Sequence, residues 1–156
     1  MTIKQMERCR RRREEFLSRM LAPLGRSERQ HWGAVYVRGL LLNGERKSVG
    51  ALALRLPEAN EQNLQQFLSQ SPWAWEPVWK QLAQALSRAF PPTAWIIDDT
   101  SFPKQGQHSV GVQRQYCGAL GKKANCQVAV SLHQTSPQGS SPLAWRLYLP
   151  EAWISD

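Results

Sequence analysis

The tripeptide Phe90-Pro91-Pro92 separates two kinds of sequence in this chain. Proline has no backbone N–H and a fixed φ, so two in succession stop any helix that reaches them. Before them, apolar residues recur at the three- and four-residue spacing of amphipathic helices. After them come short apolar runs, alternation of period two, and turns rich in Gly, Pro and Ser. The expected fold class is therefore α+β, with a helical region over residues 1–91 and a strand-bearing region over 92–156. A chain of 156 residues has room for one domain, or for one and a fragment of another.

Residues 3–21 predict a helix with a thin apolar stripe, Met6, Phe16, Leu17, Met20 and Leu21, among Arg8, Arg10, Arg11, Arg12 and Arg13. The arginine run suits contact with DNA phosphates. It is equally a solvated face paired with Glu14 and Glu15. Pro23 and Gly25 end this helix. Ser27 and Gln30 have the spacing of a capping box for the next, which carries Trp32, Val35, Tyr36, Gly39 and Leu40 toward a stop at Asn43-Gly44. Residues 48–56 and 60–69 then read as two short helices with the layout of a helix-turn-helix. In that layout Gln62, Asn63, Gln65 and Gln66 face base edges, amides being suited to adenine, while an ordinary helix pair is the other reading. Ser71-Pro72 predicts a further helix start, followed by a core-type stripe of Trp75, Val78, Trp79, Leu82, Leu86 and Ala89.

Beyond the prolines, Ala94-Trp95-Ile96-Ile97 predicts a buried strand that stops at two carboxylates, Asp98 and Asp99. No Asp or Glu occurs from Thr100 to Pro150, yet Lys104, Arg114, Lys122, Lys123 and Arg146 do. Carboxylates beside a cationic stretch suit a hard divalent ion, Mg²⁺ or Mn²⁺, working on a phosphate. Adjacent strand residues face opposite ways, so only one of the two acids can point at a given metal. The plainer reading is an acid pair that caps a turn. Residues 108–121, with three glycines, suit an exposed loop or twisted hairpin; residues 125–133 and 143–149 predict strands about a turn at 136–142.

The net charge of +8 makes a polyanion the partner to expect. Three widely spaced cysteines and three histidines form neither a disulfide framework nor a metal-ligand spacing. Seven tryptophans serve chiefly as large core residues. No run approaches the roughly 18 apolar residues of a membrane span, and no signal peptide is evident, so a cytoplasmic location and no membrane partner are expected.

The blocks Asp98-Asp99-Thr100-Ser101-Phe102-Pro103-Lys104, residues 108–116, Gly118-Ala119-Leu120-Gly121-Lys122, Asn125-Cys126-Gln127-Val128 and Leu147-Tyr148-Leu149-Pro150-Glu151-Ala152-Trp153 resemble, in that order, the first half of DDE-type insertion-sequence transposases of the seven-oh-one group. The likeness extends loosely back through Ser71-Pro72-Trp73 and Asn63-Leu64. It implies that residues 92–156 hold the first three antiparallel strands of a truncated ribonuclease-H-like catalytic core. It also implies a metal-dependent, phosphodiester-cleaving and strand-transfer activity on transposon ends, with protein oligomers on the DNA. In that family an Asp on the first strand, a second Asp and a Glu hold two divalent metals, usually Mg²⁺ or Mn²⁺. The motif's position assigns the first acid, and the metal ligand, to Asp99, with Asp98 in reserve.

This sequence departs from the pattern in its later acids, because Glu151 and Asp156 do not stand where the family places the second Asp and the Glu. The resulting expectation is a truncated or split transposase, inactive alone, whose protein partner is a further copy of itself (a homo-oligomer) or a second half encoded downstream that supplies the missing acids. The alternative is a non-catalytic DNA-binding protein that occupies transposon ends or inhibits a full-length enzyme. Under either, the expected DNA contacts are Arg10, Arg11, Arg12, Arg13, Lys104, Arg114, Lys122 and Lys123.

Overall fold

The computed structural model describes residues 2–154, so Asp156 lies outside the described residues. The chain divides into two compact units, Met1–Leu82 and Ala83–Asp156. The order of elements is five helices followed by four strands, an α+β arrangement.

The first unit contains α1 (Ile3–Leu21), α2 (Ser27–Leu41), α3 (Val49–Ala53), α4 (Glu61–Ser69) and the opening of α5 (Glu76–Ala89). The capping box forms at α1 and not at α2. Thr2 Oγ1 accepts the Gln5 amide, and the Gln5 side chain accepts the Thr2 amide in return. At α2 the cap is Arg26, without a side-chain bond, and the Gln30 amide instead donates to the Gly25 carbonyl at 3.0 Å. Leu17, Leu21, Leu24 and Phe67 form the core of this unit, with Trp32, Val37, Trp73 and Val78 packed against it. Leu52 and Leu64 are fully buried.

The helix expected from Ser71-Pro72 begins later, at Glu76. Trp73 explains the delay: its indole N–H donates to the Phe67 carbonyl at 2.8 Å, and its ring stacks on Phe67 at 5.2 Å. That tertiary anchor folds residues 71–75 back over α4 and overrides the local helix signal. The stripe of α5 is also less enclosed than a core stripe: no residue of the helix is fully buried, and Trp75 and Ala89 are exposed.

The second unit is built on a single antiparallel sheet of β1 (Ala94–Pro103), β2 (Gln113–Cys117), β3 (Lys122–Ser136) and β4 (Gly139–Leu147). β3 is central. β1 pairs with it over residues 126–135, and β2 and then β4 follow one another along its opposite edge. The β1–β3–β4 path is the antiparallel meander that opens a ribonuclease-H-like fold, with β2 as an added hairpin arm. A two-residue turn at Pro137-Gln138 joins β3 to β4, and Gly139 at φ 153° supplies the backbone conformation that a side chain would resist.

β1 differs from the buried strand expected. It runs straight through the acids to Pro103, and Trp95, Ile96 and Ile97 are 57%, 48% and 74% exposed. Among the described residues only one edge of β1 carries a ladder.

Candidate metal centre and nucleic-acid interface

Register decides what each acid faces, because residues paired across a sheet share a face. Asp99 stands opposite Val130, and Val130 opposite Arg146. Along the same face, Ser101 and Val128 lie at one end and Gln134 at the other. Gln134 is nearly buried and accepts a 2.8 Å hydrogen bond from Ser87 of α5. At the opposite end, the amide of Gly118 donates to Ser101 Oγ at 3.0 Å, drawing the turn after β2 onto β1 two residues beyond Asp99. Between these two points Asp99 and Val130 are exposed, as are Ile97 and Trp95 further along the same face of β1.

Asp98 projects from the other face, where its row continues through Ser131 to Trp145. Phe102 and His133 lie near Trp145, with ring centroids at 6.5 and 6.0 Å, and make this surface aromatic. The Asp98 carboxylate is partly engaged already, since its Oδ1 accepts the Asp99 amide at 2.9 Å. Asp99 has no such engagement and an arginine in its row. Sequence reading placed Arg146 in the cationic stretch without singling it out; the register of the β3–β4 hairpin is what puts it in the row of Asp99, across Val130.

The remaining cations divide between the faces. Lys122 stands opposite Cys117 and shares the parity of Asp99, whereas Arg114, opposite Asn125, and Lys123, opposite Tyr116, share that of Asp98. Lys104 follows the end of β1, its amide bonded to the Asn125 carbonyl. All four are exposed. Among the described residues, no group of three or more His, Cys, Asp or Glu is arranged to hold a metal ion.

In the helical unit, Arg10, Arg11, Arg12 and Arg13 are all exposed on α1. Arg13 pairs with Glu14 at 2.7 Å and Arg11 with Glu15 at 3.9 Å, so part of the run is internally compensated. Gln62, Asn63, Gln65 and Gln66 are exposed on α4, which Asn60 caps by accepting the Asn63 amide at 3.0 Å.

A sequence model described as DDE superfamily endonuclease matches residues 19–156. The chain belongs to this family. A relative, the "Probable transposase for insertion sequence element IS701" of Microchaete diplosiphon, is 32% identical over 114 residues, covering 72% of this chain and 30% of that protein. This DDE-family chain thus spans less than a third of the length of the curated relative it matches. No solved structure matches it. No described helix is long and apolar enough to cross a membrane.

Proposed function

We propose that this chain is part of a DDE-superfamily DNA transposase. Its helical unit grips transposon ends, and Asp99 serves as one carboxylate of a Mg²⁺- or Mn²⁺-dependent site for phosphodiester cleavage and strand transfer. The family match over residues 19–156 carries the reading. The row Asp99–Val130–Arg146 supports it, since a carboxylate suits a hard cation and an arginine suits a phosphate oxygen.

The described residues do not by themselves fit a resident metal. Mg²⁺ takes oxygen ligands in near-octahedral geometry, and one carboxylate on the Asp99 face supplies too few. The proposal therefore assigns the isolated chain DNA binding without cleavage, the remaining ligands lying outside the described residues. Supercoiled plasmid incubated with the purified chain and Mg²⁺ or Mn²⁺ should stay intact. Duplex DNA should bind with an affinity that falls steeply as salt rises. Robust nicking by the isolated chain would refute the assignment.

The lack of a three-ligand cluster among the described residues also favours a second reading, a non-catalytic DNA-binding protein that occupies transposon ends or inhibits a full-length enzyme. Titrating the chain into an excision reaction run by a full-length transposase separates the two. A site-completing partner sustains or raises excision, whereas an occupant of the ends lowers it.

A further inference from the structure

A cavity of about 240 Å³ opens between the first turns of α2 and the exposed side of α4. Arg26, Arg29, Asn63, Gln66 and Gln70 line it, together with Glu28. Trp32 and Phe67, both part of the helical core, also line it. Its position is fixed by packing, because Phe67 is buried and stacked on Trp73.

The polar side chains of this groove are unspent. Among the described residues, the ion pairs are Arg11–Glu15, Arg13–Glu14, Arg38–Glu14 and Arg38–Glu58, so neither Arg26 nor Arg29 is committed to a carboxylate. Among the described residues the side-chain amides of Asn63, Gln66 and Gln70 have no hydrogen-bond partner either, although each can donate and accept. Asn63 and Gln66, three residues apart, fall on one face of the nine-residue helix, and Gln70 is its C-cap. Gln62 and Gln65 widen that face toward a second hollow, lined by Glu61, Gln62, Gln65, Gln66 and Gln70. Two uncompensated guanidinium groups therefore flank a helix whose outward surface is a sheet of free amides. Glu28 is the one acid in the groove and is outnumbered there by the two arginines.

We infer that this groove is the duplex-DNA contact of the helical unit, with Arg26 and Arg29 on backbone phosphates and the α4 amides on major-groove base edges. The inference rests on the proposed DNA binding and relocates its main contact from the arginine run of α1 to residues that charge-run reading passes over. Duplex is favoured over single strands because Phe67 is buried and Trp32 is half-buried against the core, which leaves little ring face on which unstacked bases would lie. The exposed amides that edge this groove suit the major groove of B-DNA, which presents adenine's paired donor and acceptor.

The test measures binding of a mixed-sequence DNA duplex by fluorescence anisotropy across a salt series. Four proteins are compared: the full chain, R26A/R29A, R26K/R29K and R10A/R12A. Loss of two phosphate contacts flattens the plot of log K against log salt by about 1.8 for R26A/R29A, and lysine at both positions restores the slope. R10A/R12A should change it less. Because Arg26 is exposed and Arg29 half-buried on the surface, circular dichroism should show unchanged helicity in all four. A wild-type slope in R26A/R29A, or tighter capture of an RNA duplex than a DNA duplex, overturns the groove assignment while DNA or nucleic-acid binding itself survives. Absence of salt-dependent binding by the full chain instead removes the DNA-binding reading, and this inference with it.

Discussion

Asp99 and Arg146 stand in one transverse row of the sheet, with only Val130 between them. Two interstrand steps put their backbones roughly 10 Å apart. They do not form an ion pair. An acid and a base held on one face at that spacing, without neutralising each other, leave room for a cation on the first and a phosphate oxygen on the second. Asp98, one residue away, projects from the aromatic face and has part of its carboxylate occupied by the Asp99 amide.

This difference between neighbours yields the first prediction. In a DNA complex where the remaining ligands are supplied, Asp99→Asn, at the proposed ligand, should weaken Mn²⁺ binding by at least about tenfold, a loss that even outer-sphere changes reach at metal sites. Asp98→Asn should weaken it less than Asp99→Asn does. Paramagnetic resonance of free Mn²⁺ gives both numbers, and the opposite ranking of the two variants would reassign the ligand.

A second prediction concerns acid stability. Arg38 reaches Glu14 with two nitrogens, at 2.6 and 3.3 Å, and Glu58 with a third contact at 3.3 Å, tying α1 and α2 to the segment before α4. The Arg38 hydrogen bond is the main reason the Glu14 carboxyl titrates below its ordinary range; the Arg13 bond adds to the effect and partial burial opposes it. A carboxylate with a depressed folded pKa contributes stability that is present above its unfolded pKa and is lost as pH falls through the folded value. Both glutamates are substantially exposed, so Arg38→Ala should cost about 1 kcal/mol at neutral pH. Urea midpoints of parent and variant should converge as pH falls below the range in which folded Glu14 takes up its proton. An undiminished gap there would mean that the arginine stem, and not its charge, carries the effect.

How much of this was legible beforehand depended on how local each cause was. Pro91-Pro92 act through the backbone of their own segment, so the change from helices to strands could be read directly. The start of α5 was misplaced because Trp73 is held by Phe67, a contact no local pattern announces. The extent of β1 was underestimated because acids look like a strand end until β3 supplies partners as far as Pro103. β2 gave only a hint of a hairpin, since Gln113-Arg114-Gln115-Tyr116-Cys117 lacks apolar alternation and is fixed by long-range bonds such as Gly118 to Ser101. Arg146 became a candidate only once register placed it in the row of Asp99.

Two nearby leucines provide a third prediction about the helical unit. Leu52 is fully buried, and the lack of a side chain at Gly39 lets it close in: a Cβ there would lie 3.2 Å from both Leu52 methyl carbons. Leu54, two residues on, is 91% exposed. Leu52→Ala should destabilise by about 2–5 kcal/mol. Leu54→Ala should stay within about 0.5 kcal/mol of the parent. Chemical denaturation followed by circular dichroism measures both, and equal effects would contradict the packing of α3 on α2.

The last prediction probes the hairpin arm that borders Asp99. Cys117 and Cys126 are fully buried beside Val128, whereas Cys9 is exposed on α1. Burial pushes the Cys126 thiol above its ordinary pKa, and the neighbouring Cys117 pushes it further in the same direction. Thiolate is the reactive form, so at mildly alkaline pH Cys126 holds less of it than a free thiol would, and access is blocked as well. A chromogenic disulfide reagent should therefore modify one thiol quickly in the native protein and all three after denaturation, the sequence containing three cysteines. Ser101→Ala removes the acceptor that holds the Gly118 amide against β1, a partly buried hydrogen bond worth about 1 kcal/mol. In that variant the two slow thiols should react several-fold faster, since they become accessible when the arm lifts, at an energy the lost bond lowers. Three thiols reacting at one rate in the native parent would show that the arm does not rest on β1, and the covered end of the Asp99 face would disappear with it.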